Sequence, residues 1–139
     1  APETDWKLRR RGAGASIFFL TTLDKACGFI DTFRAIAADR LDPVGDIGVY
    51  VQPTVQGANC HVQFDIGYSP ASRCETQDAT WMVEEGAALL ARQGAFFSRP
   101  YGPWARAAYD GDPQVVIAQR KLKQIFDPNG ILNPGKLCF

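Results

Sequence analysis

The chain has 139 residues, 46% of them hydrophobic and 22% charged, which gives one globular domain able to bury a core and excludes a disordered chain. Fifteen basic and fifteen acidic side chains cancel, so neither nucleic acid nor an anionic membrane surface is expected as the main partner. No apolar run approaches the length of a membrane span, and the opening APETDWKLRRR lacks the apolar stretch of a secretory signal.

The first predicted element is a short buried strand over 15–21, ASIFFLT, β-branched and aromatic after the breaker at Gly12 and Gly14. The period then changes. Leu23, Ala26, Ile30, Phe33 and Ala37 recur at three- and four-residue steps, which predicts an amphipathic helix over 22–40, closed by Asp42-Pro43. A strand follows at 47–52, then a Gly- and Asn-containing turn. CHVQFDIGY alternates, with His61, Gln63 and Asp65 on one face and Val62, Phe64 and Ile66 on the other. Helical spacing returns over 74–93, with Trp81, Val83, Ala87, Leu90 and Ala91 inward and Gly94 as the terminating glycine. AFFS reads as a last strand, and Asp112-Pro113 opens a third helix over 112–126. The order predicts an α+β fold: a ferredoxin-like antiparallel sheet with helices on one face, plus a C-terminal helix and tail.

Four cysteines (Cys27, Cys60, Cys74 and Cys138) lack C-x-x-C spacing, and one histidine does not make a metal site, so no metal is expected. A reduced, cytoplasmic chain is the default, with a periplasmic one the alternative. Arg9, Arg10 and Arg11 read as a solvated basic cluster.

The tail DPNGILNPGK (127–136) crowds turn residues against Ile131 and Leu132, which seek burial. It resembles the carboxy-terminal signature of FAD-linked oxidases of the vanillyl-alcohol oxidase / p-cresol methylhydroxylase superfamily, which includes D-lactate dehydrogenase and glycolate oxidase D-subunit enzymes. PTVQGANCH (53–61) is similar to the G-H-x-G-D-G-N-L-H segment of the glycolate-oxidase-like members, keeping Asn59 and His61. Thr54 stands for the first histidine and Gly57 for the aspartate, and this loss extends the expectation of no metal to the family's metal set. QGAFFSRPYGPW (93–104) stands where those enzymes have a G-G-x-x-S-x-E-H-G stretch and the phenol-oxidising ones a Tyr-Arg pair.

The resemblance implies a cap domain that roofs the flavin and forms the substrate pocket. FAD would be gripped by a separate binding domain or subunit that this sequence does not contain, and the tail 127–139 would dock on it. Asn133 and Lys136 are then the expected cofactor contacts, although Lys136 also reads as a solvated lysine. His61, Arg99 and Tyr101 are the expected catalytic residues: an imidazole for the proton, and a guanidinium and a phenol for an anionic oxygen. Gln63, Asn59, Phe97 and Trp104 are expected at the substrate, while ordinary packing explains the aromatic ones equally well. The implied activity is hydride transfer to flavin from a hydroxyl-bearing small molecule. A phenol or other alcohol is placed ahead of a 2-hydroxy acid, and a protein electron acceptor is a further partner. The competing reading is a non-catalytic ferredoxin-like module that binds a ligand or partner.

Overall fold

The computed structural model describes residues 11–38, 47–54, 57–100, 102, 104–105, 109 and 112–134. Arg9, Arg10, the Asp42-Pro43 stop, Tyr101, Lys136 and Cys138 lie outside the described residues. The elements run β1 (Ala13–Thr22), α1 (Leu23–Ala38), β2 (Ile47–Pro53), β3 (Asn59–Tyr68), α2 (Arg73–Arg92) and α3 (Pro113–Phe126). The strands form a three-stranded antiparallel sheet in the order β1-β3-β2. This is the expected α+β arrangement, with β3 in the centre.

Alternation decides which side is covered. Ile17 and Phe19 of β1 and Cys60, Val62, Phe64 and Ile66 of β3 share one face and are at most 1% exposed. Both α1 and α2 pack on that face. From α1 it receives Ala26, Phe29, Phe33 and Ala37, an i, i+3, i+7, i+11 stripe. Phe33 stacks on Phe64 with ring centroids 4.2 Å apart, and Phe19 meets Phe29 edge to face. The stripe corrects the sequence expectation at two positions. Phe29 is inside, and Leu23, at the first position of the helix, is 47% exposed on the shoulder of the stripe. On α2 the buried positions are Ala79, Met82, Val83, Gly86, Ala87 and Leu90, while Trp81 and Ala91 are half-buried against the same cluster.

Capping sets the helix ends. Ser72 accepts the Glu75 amide at the start of α2, and Gly94, at φ 93°, follows its C-terminal end and donates its amide to the Ala91 carbonyl. Asp112 accepts the Gln114 and Val115 amides, with Pro113 at the first helical position.

The fourth strand is reduced to one bridge. Phe96 pairs antiparallel with Leu20, through Leu20 N–H to Phe96 O at 2.8 Å and Phe96 N–H to Leu20 O at 3.0 Å. Continuing that register would bring Pro100 opposite Ser16, and proline has no N–H to donate. At the other end β1 gives way at once to α1. The bridge still occupies the β1 edge, where a ferredoxin-like sheet carries its fourth strand. None of the described helices is long and apolar enough to cross a membrane.

Candidate functional site

The sheet face opposite the helices is polar and aromatic, and it carries His61, Gln63 and Asn59 of the predicted site. The register arranges it in rows. Phe18, Gln63 and Tyr50 lie across one row; Leu20, His61 and Gln52 across the next; Ser16, Asp65 and Gly48 across the row on the other side. His61 thus sits diagonally between two aromatic rings. It stacks on Phe18 at 5.7 Å between centroids and takes Tyr50 edge-on at 6.2 Å. The imidazole is half-buried and makes no hydrogen bond among the described residues.

Asp65 organises the polar side of the face. Its Oδ1 accepts the Ser16 hydroxyl at 2.5 Å and the Gln63 amide N–H at 2.8 Å. Tyr50, on the outer strand, donates its hydroxyl to Gln52 at 3.1 Å and is 49% exposed. Asn59 opens β3 on the same face as His61; its carbonyl accepts both the amide and the hydroxyl of Thr54, at 2.9 Å each.

Residues 93–100 and Trp104 lie along the β1 edge. Trp104, 3% exposed, meets Phe18 edge to face at 5.8 Å and stacks on Phe97 at 6.4 Å. Phe97 in turn packs on Phe19, so it belongs to the core cluster and supports the open face from behind. The Trp104 indole N–H reaches the Arg99 carbonyl at 3.3 Å, which ties the Arg99 backbone to the Phe18 end of the face. The Arg99 side chain is exposed and makes no ion pair among the described residues. Asn133 lies in the turn after α3 at φ 48°, exposed, and its side chain makes no hydrogen bond among the described residues.

The structure therefore brings together His61, Gln63, Asn59 and Trp104, with Phe97 behind them, and leaves Asn133 on a separate element. Sequence reasoning missed Tyr50 and Ser16. Alternation within one strand reveals a shared face; only the cross-strand register shows which residues of other strands join it.

The described residues suit one part of FAD and not another. The open face offers Phe18, His61 and Tyr50 as a surface that a planar ring can cover. The N-termini of α2 and α3, the kind of site that cradles a pyrophosphate, are taken by Ser72 and by the carboxylate of Asp112.

An α+β domain with an aromatic-flanked sheet face opposite its helices is the class that the geometry defines. Residues 105–137 match the family model of FAD linked oxidases, C-terminal domain. The match supports a C-terminal domain of an FAD-linked oxidase, and with it an FAD-dependent oxidoreductase module. It covers α3 and the tail, and leaves the sheet that bears His61 outside. Comparisons with curated proteins and with solved structures each return no match.

Proposed function

We propose that the chain is the substrate-binding cap of an FAD-dependent oxidoreductase acting on a hydroxyl-bearing small molecule, with a phenol or other alcohol ahead of a 2-hydroxy acid. The observation that carries this reading is His61: the sole histidine, between Phe18 and Tyr50 on a sheet face that no described helix covers, with no hydrogen bond among the described residues.

FAD, held by a partner domain or subunit, would supply the redox chemistry as acceptor of a hydride, the hydrogen and two electrons of the carbon that bears or is conjugated to the hydroxyl. This chain's residues bind and orient. The substrate ring lies against Phe18 and Tyr50, and His61 takes the hydroxyl proton. Gln63 and Asn59 supply polar contacts, and Phe97 and Trp104 hold Phe18 in place. Arg99 and Tyr101 hold an anionic oxygen, and Asn133 and Lys136 face the cofactor-bearing partner. The apolar stripe of α3 favours such a partner: Val115, Leu122, Ile125 and Phe126 are 40–77% exposed, and the helix touches no other described helix or strand.

Anaerobic titration of the full natural protein, flavin-loaded, with phenols, primary alcohols and 2-hydroxy acids tests the reading. A member of the first two classes should bleach the oxidised-flavin band. A preparation without flavin, or a band that none of the classes bleaches, would overturn it.

A further inference from the structure

We propose that Asp65, together with Ser16, is a positioning residue that fixes the Gln63 carboxamide, and that the site therefore takes a neutral hydroxyl rather than a carboxylate at that point. The inference rests on the open face being the substrate site.

The two ends of a glutamine amide have nearly the same shape and opposite chemistry. An ionised carboxylate only accepts hydrogen bonds, so the atom of Gln63 that faces Asp65 Oδ1 at 2.8 Å must be the nitrogen. Ser16 donates to the same oxygen and holds it from β1. Gln63 makes no other hydrogen bond among the described residues, which leaves its amide oxygen uncommitted. That acceptor belongs to the row flanked by Phe18 and Tyr50 and is next but one along β3 from His61. Room for Asp65 comes from the facing position. A β carbon on Gly48 would stand 3.3 Å from Asp65 Cβ, closer than side chains ordinarily pack.

A bound hydroxyl can rest its hydrogen on the fixed amide oxygen until His61, on the same face, takes it as a proton. A carboxylate there would set an acceptor against the fixed Gln63 oxygen, itself an acceptor. Asp65 thereby acts through Gln63 and favours a group that can donate a hydrogen bond there.

The test uses phenol, methoxybenzene and benzoate as probes, with dissociation constants read from perturbation of the flavin spectrum in the full natural protein loaded with FAD. In the wild type, phenol should bind roughly two- to tenfold tighter than methoxybenzene, the worth of one hydrogen bond, and tighter than benzoate. Asp65→Ala should lower the phenol-to-methoxybenzene ratio, because the Gln63 amide is no longer held with its oxygen outward. Asp65→Asn should keep it, because its carbonyl oxygen still accepts from Ser16 and Gln63. If Asp65→Ala keeps the ratio while Gln63→Ala abolishes it, the positioning role is wrong and the site stands. Benzoate binding more tightly than phenol in the wild type overturns the inference without any variant. Failure of all three probes to bind overturns the site itself.

Discussion

Asp127 lies just beyond α3, at 7% exposure, and ties the tail to the helix that precedes it. Its carboxylate accepts the Lys123 ammonium, the Ile131 amide at 2.8 Å and the Leu132 amide at 3.0 Å. Lys123 also donates to the Leu132 carbonyl at 2.9 Å. The Lys123 hydrogen bond, helped by the two amides and opposed by burial, holds the Asp127 carboxyl below the usual carboxylate range. A depressed folded-state pKa means that the stabilisation is present above the unfolded pKa and is lost as pH falls through the folded one. The Ile131 and Leu132 amides should therefore be protected from hydrogen exchange at neutral pH and lose protection in acid; Asp127→Ala should expose them at every pH. Protection that survives the substitution would mean that other contacts hold the turn. At this scale the sequence was informative where one strand or turn contains the whole signal. Alternation along β3 put His61 and Gln63 on one face, and Asp-Pro and Asn-Gly marked the turn. The bonds from Asp65 to Ser16 and from Tyr50 to Gln52 were not legible, since they depend on register and rotamer.

Helix positions followed from periodicity, and their inward stripes were displaced by about one residue where apolar side chains are dense. On α1 the choice between Phe29 and Ile30 is made by the sheet, which offers Phe19 and Phe64 as ring partners for Phe29 and Phe33. The last strand was over-read, because AFFS has strand composition but its continuation meets Pro100. Where α1 and α2 approach, Gly86 is the limiting residue. A β carbon there would come within 2.8 Å of a Phe33 ring carbon and 3.3 Å of Ile17 Cδ1. Gly86→Ala should cost about 1–3 kcal/mol by overpacking, more than the helix-propensity gain of alanine. Urea denaturation would measure it, and a neutral or stabilising result would show that the helices have slack at this crossing.

At the scale of the molecule the described residues leave two surfaces uncovered, the His61 face and the apolar stripe of α3. Leu122 and Phe126 lie four apart on that stripe, at 54% and 77% exposure, and neither belongs to the core. Replacing both with serine should leave the unfolding midpoint of this domain nearly unchanged while lowering the FAD content of the full natural protein. Unaltered flavin content would place the cofactor-bearing partner elsewhere. The open face carries the central claim, that this chain positions a substrate against flavin and that His61 manages its proton. Anaerobic stopped-flow measurement of flavin reduction, wild type against His61→Ala at equal FAD content, tests it most directly. The account predicts a fall of roughly 10²–10⁴-fold in the limiting reduction rate, the usual loss on removing a general base. A rate within about threefold of wild type, far short of that loss, would contradict it.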